Sequence, residues 1–276
     1  MVSDVVRVVV WVWVWCSTLA MICLPYPLVR RIHREQTVGS ASIVPLLSLL
    51  ANSHVWAMYG FLGRAWFPNF PAFLIGDIAS WCYIFIYWKN SNEQRKNGQL
   101  IVMVVAVLAV PTLYVAVGFL GFTGQTRAEV WETHGLCFCD VTVISTSFFT
   151  LINIVRAFKN KSTASINVCA LVVGTSYSSG WITYGHMTSN WIIAGPQVWI
   201  ITLHLASWAM YIVFSRQNNV ETSSVTLDED DPVDLSLALP VGCNDNSDLK
   251  MEAVTSSEFQ ALSSPVELID VIKFRT

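Results

Sequence analysis

The sequence has little charge for its length. Of its 276 residues, 13% are Asp, Glu, Lys or Arg, about half the fraction found in an ordinary soluble domain. Hydrophobic residues make up 54% of the chain, and the mean hydropathy is +0.51. A chain with so few polar groups cannot cover a water-soluble surface, so soluble enzymes and nucleic-acid-binding proteins are excluded.

The sequence also lacks motifs for metal binding, nucleotide binding and catalysis. Its seven cysteines show no CxxC and no Cys/His metal spacing, and only Cys137 and Cys139 are close neighbours. We expect small buried hydrophobic roles for them and no metal site. There is no GxxxxGK[ST] nucleotide loop and no catalytic constellation. The sequence therefore predicts a protein that is not an enzyme and has no cofactor.

Long apolar segments are what the sequence does contain. Each is long enough to cross a hydrocarbon layer of about 30 Å at about 1.5 Å per residue. They predict an all-α membrane protein with seven transmembrane helices, at residues 5–29, 41–62, 66–88, 99–121, 137–158, 164–187 and 190–214. An odd number of spans places the two termini on opposite sides of the membrane.

The basic residues predict the orientation. Ten Lys and Arg residues fall in loops on one side of the predicted topology and three on the other. The positive-inside rule then places the amino terminus outside the cell or in a lumen, and the carboxyl terminus in the cytosol. Residues 215–276 are acidic and poor in aromatic residues, so we expect a disordered cytosolic tail. The membrane is expected to be the plasma membrane or an endomembrane.

An internal repeat is visible at an offset of 125 residues. The pentapeptide Trp56-Ala57-Met58-Tyr59-Gly60 ends the second predicted helix, and Trp181-Ile182-Thr183-Tyr184-Gly185 ends the sixth. Helices one to three and five to seven are therefore predicted to be copies. An odd number of helices separates equivalent points, so the two three-helix repeats (1–98 and 122–214) are parallel, with helix four (99–121) as a linker, a 3+1+3 arrangement.

Several short motifs resemble one known family in order and spacing. The first copy carries Pro25-Tyr26-Pro27, Arg31-Ile32, Thr37, Pro45, Asn52, Trp56 and Tyr59-Gly60. The second copy carries Lys159-Asn160-Lys161-Ser162, Trp181xxTyr184-Gly185 and Ala194-Gly195-Pro196-Gln197. These motifs are similar to the two halves of the SWEET sugar uniporters (MtN3/saliva repeat), over residues 5–214. The resemblance implies passive transport of a small neutral sugar across a lipid bilayer, in a chain that can form homo-oligomers.

Three side chains are candidates for a substrate site. The predicted helices place Trp56, Trp181 and Gln197 at one depth, about 10 Å below the outer surface. Two indole rings beside an amide suit a sugar, because C–H faces stack on aromatic rings and hydroxyls pair with amides. The resemblance implies the same region as the substrate pocket. The alternative is that both tryptophans are membrane-interface anchors.

Two further residues are weaker site candidates. Asn52 shares a helical stripe with Trp56, so we expect it to face the interior of the bundle. The family's first-repeat asparagine is absent, and the sequence has Ala72, Phe73 or Ile75 in its place. Asp77 is predicted to substitute as an acceptor for substrate hydroxyls.

A hinge is predicted near the cytosolic face. Pro25, late in helix one, and Pro45, early in helix two, each remove a backbone hydrogen bond and should kink their helices. The resemblance implies four such prolines. The second-copy positions are Thr150 and Asn167, whose side chains should perturb the backbone less, so we expect an asymmetric hinge.

Other functions stay open on the sequence alone. His204 is expected near the midplane, more as a structural residue than a functional one, and with Asp77 it could form a proton relay for coupled transport. His54 is expected to have a packing role, and Asp140 to be solvated at a helix end. A non-sugar transporter of the PQ-loop type, a seven-helix receptor and a non-transporting scaffold are the remaining alternatives.

Overall fold

The computed structural model describes residues 4–160 and 166–225, and within these ranges every regular element is helical. The predicted all-α class is therefore confirmed. Most of the predicted tail (226–276) and the loop residues 161–165 lie outside the described residues.

Nine α-helices and one π-helical turn follow one another along the described chain. They are α1 (Asp4–Cys23), α2 (Tyr26–Glu35), α3 (Val44–Leu62), α4 (Asn69–Lys89), α5 (Gln94–Phe119), α6 (Arg127–His134), the π turn (Gly135–Cys139), α7 (Asp140–Asn160), α8 (Val168–Met187) and α9 (Trp191–Val225). They correspond in order to the seven predicted segments. The first segment is divided between α1 and α2, and the fifth runs through α6, the π turn and α7.

The fifth segment begins about ten residues earlier than predicted. Thr126 caps α6 by accepting a hydrogen bond from the Glu129 backbone, and the Glu129 carboxylate accepts one from the Thr126 backbone. This capping box starts a helix whose first turns are polar, which an apolar window does not detect. Asp140 therefore lies inside a continuous helical run and not at a helix end, and its buried Oδ1 has no partner among the described residues.

Five of the segments are long and apolar enough to cross a membrane. Within the described residues they are 4–35, 69–89, 94–119, 127–159 and 191–215. Helices α3 and α8 have 19 and 20 residues and no Asp, Glu, Lys or Arg. They are not among the five because their mean hydropathy is lower than that of the other segments. Their Ser, Asn, His and Thr residues are the reason, and several of these face the cavity described below. Seven spans therefore remain a prediction.

The helices before and after α5 form two groups, α1–α4 and α6–α9 with the π turn, and the helices of each group pack in the same order. Helix α4 packs against both α1 and α3, and α9 packs against both α7 and α8. Between the groups, α1 packs on α8, while α6, the π turn and α7 pack on α3. The first segment of each group thus contacts the second segment of the other, which is the contact pattern of a two-fold arrangement. Helix α5 packs on α3, α4 and α6.

Two glycines allow equivalent close approaches. A Cβ atom on Gly60 of α3 would lie 2.9 Å from the Cα of Phe70, and one on Gly185 of α8 would lie 2.9 Å from the backbone nitrogen of Ala194. Only glycine permits this backbone spacing at the turns that follow α3 and α8. We call the end of the bundle with these two turns the tight-turn end. The opposite end lies beside α2 and is called the α2 end.

Candidate functional site: a neutral polar cavity below three stacked aromatic rings

The two predicted tryptophans are brought together through a third ring. Trp56 of α3 and Trp181 of α8 are buried, with 3% and 2% of their surface exposed. Phe73 of α4 stands between them, with ring centroids 5.9 Å from Trp56 and 5.5 Å from Trp181 and interplanar angles of 26° and 27°. These are stacked geometries. Trp181 also donates from Nε1 to Thr18 Oγ1 at 3.2 Å, which links α8 to α1.

A cavity of about 310 Å³ lies on the α2 side of this aromatic stack. Its walls come from both helix groups, and Phe73 and Gln197 lie at the end nearest the tight turns. The residues lining it are Thr18, Met21, Ile22, Leu24, Pro25, Pro45, Ser48, Leu49, Asn52, Ser53, Phe73, Val143, Thr146, Ser147, Thr150, Tyr177, Ser178, Gln197, Ile200 and His204. The predicted residues Asn52 and Gln197 therefore share one cavity.

Four polar atoms on the cavity wall have no hydrogen-bond partner among the described residues. They are Ser53 Oγ, Ser178 Oγ, Gln197 Oε1 and His204 Nδ1. Ser53 and Ser178 are related by the 125-residue offset and are both fully buried. A buried polar atom without a partner costs about 1–3 kcal/mol. The four residues that carry these atoms all line the cavity, so its wall holds polar groups that the rest of the described chain leaves without a partner.

The cavity is electrically neutral apart from one imidazole. No Asp, Glu, Lys or Arg occurs among the described residues that line it, and His204 is the single lining residue whose ordinary pKa is near neutrality. His204 packs so closely on α8 that a Cβ on Gly174 would lie 2.8 Å from its Cε1 atom. A charged ligand would find no fixed counter-charge here, so the wall suits a neutral, hydroxyl-rich molecule.

The tight-turn end is closed by contacts between the two groups. The Tyr59 hydroxyl donates to Asn190 Oδ1 at 3.1 Å, and Asn190 Nδ2 donates to the Tyr59 oxygen at 2.9 Å. Arg127 Nε donates to the carbonyl of Leu62 at 2.9 Å. His134, which is fully buried, donates from Nε2 to the carbonyl of Val55 at 3.0 Å. These bonds join α3 to the α8–α9 turn and to α6.

The predicted hinge residues occupy different positions at the α2 end. Pro25 lies at the break between α1 and α2, and the backbone of Val29 donates to its carbonyl at 3.0 Å. Pro45 lies in the first turn of α3, where a missing N–H removes no helical bond. Pro45 is thus at the start of α3 and not in its interior, because the helix begins at Val44 and not at residue 41 as predicted, so the expected kink has no basis there. Thr150 lies in α7, which runs unbroken past it, and Asn167 is the N-cap of α8, accepting from the Ala170 backbone at 3.1 Å.

Asp77, predicted as a substrate acceptor, does not line this cavity. Its Oδ2 lies 3.3 Å from His54 Nδ1, and His54 Nε2 lies 3.0 Å from Thr112 Oγ1 on α5. The three residues line a separate pocket of about 400 Å³ between α3, α4 and α5. His54 is therefore more than a packing residue, and the relay between Asp77 and His204 has no direct contact to support it.

The hydrogen-bond pattern shows how the Asp77 carboxylate is tolerated. The Thr112 hydroxyl donates to the carbonyl of Leu108 at 2.7 Å, so it accepts from His54 Nε2. The other imidazole nitrogen, Nδ1, lies 3.3 Å from Asp77 Oδ2. The imidazole therefore gives the carboxylate a polar partner within a predicted span, where an unpartnered acid is costly.

Sequence reasoning gave no role in the site to three residues that line the cavity, Phe73, Ser53 and Ser178. Phe73 was one of three candidates for the position of the family asparagine; of the others, Ala72 is fully buried and Ile75 is 41% exposed on the outside of the bundle. The signal that could have found Ser53 and Ser178 was their relation by the repeat offset. Each lies three residues before a predicted tryptophan, on the same helical face.

The fold and the cavity define an integral, multi-pass helical membrane protein with a neutral polar chamber between two helix groups. A family model described as "Sugar efflux transporter for intercellular exchange" matches residues 8–95. The chain is similar to the sugar transporter SWEET1 of Xenopus tropicalis, with 26% identity over 75% of this chain and 94% of the relative. It is also similar to SWEET1 of Drosophila pseudoobscura pseudoobscura, with 24% identity over 71% of this chain and 81% of the relative.

A solved structure shares the fold. The 3.7 Å structure of a eukaryotic SWEET transporter superposes with a TM-score of 0.61 at 16% identity, covering 75% of this chain and 99% of the other. Together, the family model over residues 8–95, the curated relatives and the shared fold support the resemblance to the SWEET family that the sequence motifs indicate. Proteins of this family are transporters and not enzymes, which confirms the expectation that this chain is not an enzyme.

Proposed function

We propose that this protein is a passive, bidirectional sugar uniporter. The observation that carries the proposal is the set of four unpartnered polar atoms on a cavity wall without Asp, Glu, Lys or Arg. Hydroxyl groups of a mono- or disaccharide pair with these atoms, and the ring of Phe73 at the closed end supplies an apolar face for C–H contacts. The similarity to curated sugar transporters supports the same function.

Transport proceeds by alternating access in this proposal. The Tyr59–Asn190 pair and the Phe73–Trp181 stack close the tight-turn end, while the cavity extends to Pro25 and Pro45 at the α2 end. For the tight-turn end to open, these contacts must separate as the two groups of helices rock against each other. The break at Pro25 supplies the main hinge, and the first group carries more of the bending because α7 is continuous at Thr150.

The membrane arrangement belongs to the same proposal. Seven spans form a 3+1+3 arrangement with parallel repeats and α5 as the linker. The tight-turn end faces the exterior or a lumen, and the α2 end and carboxyl terminus face the cytosol, as the basic loops indicate. The protein resides in the plasma membrane or an endomembrane. Homo-oligomerisation, which the family resemblance implies, is part of the same proposal.

The test is radiolabelled glucose and sucrose flux in transport-deficient cells. We expect both uptake and efflux, driven by the sugar gradient and unaffected by a protonophore, since the cavity contains no acid for proton exchange. Surface protein is quantified in parallel. A protein present at the surface that moves no sugar of a panel would contradict the proposal, and flux that a protonophore abolishes would replace uniport with proton coupling.

A related prediction separates the Asp77 pocket from the sugar site. Asp77→Asn removes the charge from the Asp77–His54 contact but leaves the cavity wall intact. We expect a lower melting temperature and less surface protein, with an unchanged KM for sugar. Asp140→Asn serves as the matched control for the loss of a carboxylate. A several-fold rise in KM for Asp77→Asn alone would return Asp77 to the substrate site.

A further inference from the structure

Phe73 occupies the place where a sugar ring would stack between the two tryptophans. Its ring is nearly parallel to both indoles, at 5.9 Å and 5.5 Å, and it is 3% exposed. A six-membered ring of similar size is what two parallel aromatic plates would hold. Phe73 therefore contacts both indole rings, and it lines the cavity whereas Trp56 and Trp181 do not.

The four unpartnered polar atoms belong to residues that line the cavity bounded by Phe73. Ser53, Ser178, Gln197 and His204 line the same cavity as Phe73, on its α2 side. A bound ring must then stack against one face, that of Phe73, while its hydroxyls pair with the wall. The chamber has no continuation between the indoles for a second ring.

The volume that remains is small. At about 310 Å³, the cavity is at the lower end of the 300–1,000 Å³ that small-molecule sites usually occupy. A disaccharide has twice the rings and nearly twice the hydroxyls of a monosaccharide, and it would require space that Phe73 fills. Phe73 is the side chain that bounds the cavity towards the two indoles, and its neighbour Ala72 does not line the cavity.

We propose that Phe73 is the specificity-determining residue that restricts this transporter to single-ring sugars. The inference rests on the proposed sugar transport and adds the substrate class to it. Phe73 is carried by α4 of the first group and Trp181 by α8 of the second, so the phenyl ring also forms part of the contact between the groups. Removal of the phenyl ring leaves a gap between two intact indoles, into which a second sugar ring can stack.

The experiment compares glucose and sucrose flux in the full chain and in Phe73→Ala. We expect the unmodified protein to move glucose with sucrose near background, and the variant to raise the sucrose-to-glucose ratio by about tenfold, the factor that one or two sugar contacts supply. Phe73→Tyr keeps the ring and should keep the restriction. Phe85→Ala removes an exposed phenyl group from the same helix, α4, and should change neither rate.

Each outcome separates the two proposals. Sucrose moved as fast as glucose by the unmodified protein would overturn the role of Phe73 and leave sugar transport standing. Glucose flux in Phe73→Ala without a gain of sucrose would do the same. No flux of any sugar by the unmodified protein would overturn the proposed function itself and the specificity with it.

A binding measurement on the unmodified protein does not depend on folding of the variant. In detergent, glucose is expected to raise the melting temperature of the purified full chain saturably by binding the folded state, whereas sucrose should give only the non-saturating rise of an excluded solute. Saturable stabilisation by both sugars would overturn the restriction.

Discussion

Trp181→Ala is expected to lower sugar flux by about tenfold or more, because it removes a stacked partner and a hydrogen-bonded anchor at once. Trp181 stacks on Phe73 at 5.5 Å and donates to Thr18 at 3.2 Å. Without the indole, Phe73 loses the surface that holds it against the second group, and the closed end of the chamber loses its shape. The measurement is initial uptake of labelled glucose per molecule at the surface.

Two variants distinguish a role in the site from a general loss of packing. A buried Trp replaced by Ala costs about 3–5 kcal/mol in a well-packed interior, so the amount of folded protein must be measured alongside. Trp181→Phe keeps an aromatic plate and should retain more flux than the alanine variant. Trp191→Ala, at a tryptophan that is 70% exposed, should retain full flux. Equal flux in Trp181→Ala and Trp191→Ala would remove Trp181 from the site.

Gln197→Leu is the second substitution with a large expected effect. Gln197 is 4% exposed, lines the cavity and has a buried Oε1 atom without a partner in the described part of the chain. Loss of this acceptor removes a hydrogen bond to a sugar hydroxyl, so we expect KM to rise by about tenfold, equivalent to about 1.4 kcal/mol.

The folded state of the Gln197→Leu variant should be no less stable than that of the unmodified protein. An unpartnered amide oxygen destabilises the empty protein, so an apolar side chain of similar size should leave the melting temperature unchanged or higher. Lost transport without lost stability is the signature of a binding residue. Gln197→Asn should keep most of the affinity, and Thr202→Val, on the exposed face of the same helix, should change neither quantity. A Gln197→Leu variant with lower stability and normal KM would indicate a structural role.

The helical repeat could be predicted from local sequence, and the pairing of side chains could not. The 125-residue offset aligns Ser53 with Ser178 and Trp56 with Trp181, because a few residues recur at the same spacing in both copies. The position of a residue around its helix axis is more sensitive, since neighbouring residues differ by about 100°. Gly76 meets Ser53 at the cavity side of α4, whereas Asp77, the next residue, turns towards His54.

Segment ends were predicted less well than segment centres. Apolar windows miss polar turns that a capping box holds in a helix, as at Thr126. They also miss a helix that continues beyond the apolar run, as α9 does to Val225. The break at Pro25 was visible because proline removes the backbone donor that would continue the helix, while the place of Pro45 in a first turn depended on where α3 begins.

The sequence by itself determined the membrane class, the order of the helical segments, the repeat and the candidate residues Trp56, Trp181 and Gln197. Hydropathy, proline and repeated motifs act within a few residues of chain, and so they can be read without a fold. Only the tertiary structure decided that Phe73 stands between the tryptophans, that Asp77 pairs with His54 outside the cavity, and that four polar atoms share one wall. Those facts depend on the rotation and packing of helices from distant parts of the chain, which no local pattern encodes.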